Sequence, residues 1–250
     1  MTGVVSRRGG PLDEWTPLRA TTQARIGLGR AGMSLPAPAV LELQAALAAA
    51  RDAVHVPLDT SALMSGLGGL GLGEPILVAS QADDRGTYLR RPDLGRLPGH
   101  STTLPTGGWD VGVVIADGLS SKAVGAHAVP LVAALRERLD PALSLAPPVV
   151  VTQGRVAVGD GIGQAMGLRT VLVLIGERPG LSVADSLGIY LTHRPKPGRS
   201  DAERNCVSNI HPPEGLGYSA AAETALRLLY GARALGRSGV DLKDTRTIGS

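Results

Sequence analysis

A chain of 250 residues with 43% hydrophobic and 19% charged residues is long enough to bury a substantial core and too apolar to be disordered over most of its length. An aromatic content of 2%, with no phenylalanine, excludes a base-stacking platform for single-stranded nucleic acid and leaves the core to Val, Leu, Ile and Ala. The formal charge of +3 is already held near the start, where Arg7, Arg8, Arg19, Arg25 and Arg30 face only Asp13 and Glu14, so no domain-wide basic surface of the nucleic-acid type is expected.

Residues 1–35, rich in Gly, Arg, Thr and Pro, read as an extended or partner-docking arm whose only compact phrase is ARIGLGR at 24–30. The Ala/Leu-rich run from Pro36 to His55 predicts a long helix, with Val40, Leu43, Leu47 and Val54 near helical spacing. Residues 60–75, with SGLGGLGLG at 65–73, read as a glycine-rich connection, so that 1–75 forms an N-terminal arm and helical region and 76–250 the main domain. Four short apolar runs then predict strands: Ile76 to Ala79, Asp110 to Ala116, Pro148 to Thr152 and Thr170 to Gly176. Between them lie helical stretches at Asp83 to Arg91, Leu119 to Leu139 (with a kink expected at Pro130) and Gly159 to Met166. Continuous Val/Leu/Ile strands alternating with helices predict an α/β domain, a doubly wound, mostly parallel and Rossmann-like sheet covered on both faces. Residues 192–218 read as a long polar loop, unusual in a compact domain unless functional, and Ser219 to Leu235 as a closing helix.

Cys206 is the only cysteine, so no internal disulfide or multi-thiolate metal site can form, and a reduced, cytoplasmic protein is expected. The start shows no secretory signal, and no apolar run approaches the ~20 residues of a membrane span. Ligands of open α/β sheets collect beyond the carboxyl ends of the strands. That points to Asp117-Gly118-Leu119-Ser120, Gly154-Arg155-Val156, Glu177 within GERPG at 176–180, and the segment Asp201 to Ile210 carrying Cys206. Asp117 suits a helix cap as well as a ligand contact, Glu177 a surface ion pair, and Cys206 a small buried apolar residue. GxGxxG at 66–71 lacks a preceding strand, no GxxxxGK[ST] loop or GxSxG elbow exists, and His55, His100, His127, His193 and His211 are scattered without metal-ligand spacing.

The strings at these positions carry a resemblance. TTQARIGLGRAG, DDRGTYLRRPDLG, VVIADGLS, QGRVAVGD, VLVLIGERPGL, DSLGIYLTHRP, DAERNCVSNI and SGVDLKD, spread over Thr21 to Lys243, are similar to the small (light) subunit of ethanolamine ammonia-lyase. The resemblance implies an adenosylcobalamin-dependent enzyme that releases acetaldehyde and ammonia from ethanolamine after cobalt–carbon homolysis and radical rearrangement. It implies a heteromer in which a large subunit holds ethanolamine and supplies the substrate-handling residues, in some relatives inside a bacterial microcompartment. By motif match Val156, Glu177 and Cys206 contact cobalamin, and this chain supplies no catalytic residue. A backbone edge, an acceptor and a small thiol suit a broad apolar corrin rimmed with amides. No histidine here has Asp two residues earlier, so the DxHxxG motif is absent and base-on cobalamin without a protein ligand to cobalt is expected. A mainly structural subunit that stabilises and solubilises its partner is the alternative reading, and a nucleotide enzyme is disfavoured by the missing phosphate loop.

Overall fold

The computed structural model describes residues 14–101 and 103–243. The chain divides into two compact units, residues 1–49 and 50–250.

In the first unit α1 (Thr16–Arg19) opens with Pro at its first turn, where a missing N–H costs nothing. The Arg19 guanidinium folds back to donate to the carbonyls of Ile26 and Gly27, clasping the ARIGLG phrase within the stretch expected as an extended arm. Residues 1–13 of that arm lie outside the described residues. The Ala/Leu run forms α2 (Ala37–His55).

The stretch 60–75 is not simply a connection. Asp59 accepts a hydrogen bond from the Ala62 N–H and starts α3 (Thr60–Gly68), whose Leu63 and Leu67, four apart, are buried in the main core. The four predicted strands are present as β1 (Ile76–Ala79), β2 (Val111–Ala116), β3 (Val149–Thr152) and β4 (Thr170–Gly176). They are linked through α4 (Arg85–Arg90), α5 (Ser121–Arg138, continuous through Pro130) and α6 (Val158–Met166).

The reading of 192–218 as one long loop is corrected. β5 (Leu187–His193) and β6 (Asn205–Ile210) complete the sheet before α7 (Tyr218–Leu235). The order is β1-β3-β2-β4-β5-β6, with the first four strands parallel and the last two added antiparallel. The domain is therefore α/β with a mixed, mostly parallel sheet, as the apolar runs predict.

β2, β3 and β4 each alternate between two cores, which explains their unbroken apolar runs, whereas β1 at the edge turns Leu77 outward. Val113 and Ile115 join Val124, Leu131, Leu226 and Leu229 beneath α5 and α7. Val114 and Ala116 join Val158, Ile162 and Met166 beneath α6. Each fully buried Leu or Ile contributes about 1.5–3 kcal/mol. The second core contains no residue of β6 and reaches β5 only at the partly buried Tyr190. On the α6 side, Asp160 and Arg204 cover Thr192 at the end of β5, while Tyr190 is only half-buried and Cys206 and Ser208 of β6 are exposed.

A turn of 3-10 helix at Asp201–Glu203 leads into β6, closed by a capping box between Ser200 and Glu203, with Arg199 paired to the same carboxylate. The Ser200 N–H, then Arg199 and the Ser200 hydroxyl, hold Glu203 down from 4.5 to about 2. A depressed carboxylate contributes stability above its unfolded pKa and loses it as pH falls through the folded one, here from 4.5 toward about 2. An NMR titration of the Glu203 carboxyl should give a midpoint near 2, and a midpoint near 4.5 would show that the box does not hold.

Candidate cofactor-binding face

The carboxyl ends of β2 and β3 are knotted together by Asp117. Its two oxygens accept the N–H groups of Gln153 and Gly154, each at 2.9 Å, while Arg85 reaches Asp117 at 3.5 Å and the Gln153 side chain at 3.2 Å. Desolvation raises the Asp117 pKa against these donors. The cap of α5 is Ser120, which accepts from the Ala123 N–H, so Asp117 serves a neighbouring turn and not its own helix. Gly118, at φ 58°, makes this crossing possible: a Cβ there would lie 2.3 Å from the Gly176 carbonyl oxygen.

Beneath the β3–α6 turn sits Tyr88, fully buried, its hydroxyl donating to the Gly154 carbonyl at 3.2 Å. The guanidinium groups of Arg85 and Arg155 lie 4.6 and 4.2 Å from its ring centre, and burial lifts its pKa to about 12. This stack and the Arg155 N–H bond to the Gly95 carbonyl fix the turn that presents Val156. Val156 itself is half-buried at the margin of the α6 core, the same core that Tyr190 borders.

Glu177 follows β4 directly. One carboxylate oxygen, Oε2, accepts from the Ser186 hydroxyl at 2.6 Å and from the Asn209 N–H at 3.2 Å. Oε1 lies over Gly188, where a Cβ would stand 2.9 Å away, and takes no hydrogen bond from the described residues. The Asn209 donor is aimed by a bulge in β6. Val207 and Ile210 pair with Ile189 and Leu187, three residues against two, and Asn209 takes up the extra residue at φ 63°. Its side-chain Oδ1 accepts from His211 Nε2, 2.8 Å away.

Cys206 stands opposite Tyr190 across the β5–β6 pair and is exposed. Val207 points into the α5–α7 core, so Cys206 and Ser208 project to the other face with Gly188 and Tyr190. Desolvation raises the pKa of both the Tyr190 phenol and the Cys206 thiol; the Tyr190 hydrogen bond partly offsets this at the thiol, and the Glu177 field adds to both. Both groups are neutral at pH 7, and a protonated thiol is a poor nucleophile.

Val156 and Glu177 lie just past the carboxyl ends of β3 and β4, whereas Cys206 stands near the start of β6, level with Tyr190 and Val173 in the middle of the sheet. Glu177 and Cys206 are close enough to influence each other electrostatically, and Val156 and Tyr190 meet the same core. What results is a partly exposed ledge of Tyr190, Cys206 and Ser208 near a carboxylate held by Ser186 and Asn209. Reading the sequence had assigned no role to Arg85, Tyr88, Ser186 or Asn209; for the first two the available signal was the DDRGTYLRRPDLG string. Among the described residues, no group of three or more His, Cys, Asp or Glu side chains is placed to hold a metal ion, and no helix is long and apolar enough to cross a membrane.

Residues 12–243 match the family model for the ethanolamine ammonia-lyase light chain. Curated proteins named ethanolamine ammonia-lyase small subunit align over nearly the whole chain. The protein from Rhodococcus erythropolis is 60% identical over 234 residues, 94% of this chain and 91% of its own length. Those from Azotobacter vinelandii and Ralstonia nicotianae are 53% and 50% identical, covering 92% and 94% of this chain and 88% and 89% of their own.

Proposed function

Because the chain belongs to the ethanolamine ammonia-lyase light-chain family, we propose that it works as the cobalamin-contacting subunit of that lyase, assembled with a large subunit that holds ethanolamine. The observation that carries this reading is the partly exposed ledge of Tyr190, Cys206 and Ser208, with a glutamate nearby whose Oε1 takes no hydrogen bond from the described residues. A corrin is a broad, largely apolar disc with amide groups at its rim. Tyr190 and Cys206 offer it a partly exposed seat, Glu177 an acceptor for an amide N–H, and Val156 an apolar edge. When bound, adenosylcobalamin supplies the radical chemistry of the elimination to acetaldehyde and ammonia.

This chain's residues bind and enclose. Ser186 and Asn209 hold Glu177 so that one oxygen points outward, and the neutral Cys206 thiol makes a contact without competing as a nucleophile or cobalt ligand. The Asp117 knot and the Tyr88 stack hold the Val156 turn rigid, which lowers the entropy lost on binding. Ethanolamine contacts fall to the large subunit, and neither nucleic acid nor a membrane has a part in the function.

Gly188→Ala tests the arrangement without altering Glu177. Its Cβ would displace the flexible carboxylate from Ser186 and Asn209. The melting temperature should move by only a few degrees, since such a substitution is worth about 0.5–1 kcal/mol. The cobalamin affinity of the assembled complex should fall roughly tenfold, the loss of about one good hydrogen bond. Unchanged affinity with a displaced Glu177 would remove that carboxylate from the cofactor site.

A further inference from the structure

A second polar cluster lies at the opposite end of the sheet. Arg169 precedes β4 and Arg194 follows β5, joined by the Arg194 N–H to the Arg169 carbonyl at 2.7 Å. Arg233 comes from the last turn of α7, and His193 is the last residue of β5. The four line a cleft of about 470 Å³, within the range of small-molecule sites. By strand rise, Arg169 is roughly 25 Å from Glu177 along β4.

The charge in this cleft is poorly balanced. Among the described residues Asp110 is the one carboxylate paired there, bound to Arg233 at 3.1 Å and near Arg169 at 3.7 Å while also accepting from the Ser144 N–H and hydroxyl. The Arg194 guanidinium has no hydrogen bond or ion pair among the described residues, and Arg194 is held at φ 48°, a left-handed backbone that costs a non-glycine residue. Arg233 Nη1 is buried without a hydrogen-bond partner. His193 Nδ1 is engaged by the Thr170 hydroxyl at 2.9 Å, which leaves Nε2 for a ligand. Burial, then the fields of Arg194, Arg233 and Arg199, push the His193 pKa down.

We propose that Arg169, His193, Arg194 and Arg233 form a second ligand site, for a phosphate-bearing small molecule. Three guanidinium groups against one carboxylate leave an excess charge of two, which a phosphate dianion neutralises and a single carboxylate does not. The cleft is larger than inorganic phosphate needs, so the organic part of a phosphomonoester also has room. The site is independent of the cobalamin reading.

Calorimetric titration of the full chain with inorganic phosphate and with glycerol 3-phosphate, at about 0.15 M salt to screen diffuse attraction, tests it. Both probes should bind saturably at one site, with the ester tighter, and should raise the melting temperature by mass action. Arg194→Gln, exposed and without a partner to lose, should fold with an unchanged melting temperature and bind at least tenfold more weakly; Arg233→Gln should do the same to binding. The proposal is overturned if neither probe saturates, if binding survives the double substitution Arg169→Gln with Arg194→Gln, or if only a poly-glutamate peptide binds.

Discussion

Arg204→Met should destabilise the chain by about 3–5 kcal/mol, the cost of leaving a buried carboxylate without its partner. Arg204 and Asp160 have side chains only 2% and 3% exposed and meet through two bonds of 2.8 and 2.7 Å. The same guanidinium donates to the Thr192 hydroxyl and the Arg199 carbonyl. It thereby joins α6 to the end of β5 and the start of β6. Against a typical total of about 5–15 kcal/mol this is a large share, and the melting temperature should drop on the order of 10 °C. The mechanism predicts partial rescue: Asp160→Leu added to Arg204→Met removes the orphaned charge and should restore part of the loss. Denaturant unfolding of the single and double variants beside the unsubstituted chain checks it, and a single-variant loss under about 1 kcal/mol would mean that the pair is solvated.

The second large effect is expected at Glu177. Glu177→Ala removes the open acceptor and leaves the Ser186 hydroxyl and Asn209 N–H without their shared partner. Hydrogen bonds to a charged group are worth about 1.5–3 kcal/mol, so cobalamin affinity of the assembled complex should fall about 10–100-fold. Glu177→Gln, which keeps an acceptor oxygen, should fall between the two. Assembly with the large subunit should persist, because Glu177 lies near the ledge and outside both cores. Loss of assembly with intact affinity would favour a mainly structural subunit.

How far these features were legible in the sequence depended on what each residue faces. β2 and β4 are buried on both sides, so VGVVIA and TVLVLIG stand out as unbroken apolar runs. β5 carries a different pattern: Leu187, Ile189 and Leu191 face one core while Gly188, Tyr190 and Thr192 face the other side, Thr192 beneath Arg204, and this small and polar half disguised the strand. β6 is an edge strand with only Val207 and Ile210 turned inward, and the Asn209 bulge spaces them by three, which erases the period of two. α3 was hidden by glycines, although Asp59 before Leu63 and Leu67 was a readable start signal.

The site behaves likewise. Val156, Glu177 and Cys206 could be singled out by their place after strands and by resemblance, but nothing in their spacing says that Tyr190 pairs with Cys206 or that Asn209 supports Glu177, because those contacts follow from the antiparallel register. The arginine cleft was invisible for the same reason, since Arg169, Arg194 and Arg233 meet only once β4, β5 and α7 are in place.

The central claim is that this chain completes a cobalamin site which neither subunit forms alone. It is tested most directly by equilibrium binding of adenosylcobalamin to this chain, to the large subunit and to the two assembled, with acetaldehyde formation from ethanolamine followed in parallel. Tight binding and activity should occur only in the assembly. Full binding and activity of the large subunit by itself would contradict the claim and leave this chain as a structural accessory.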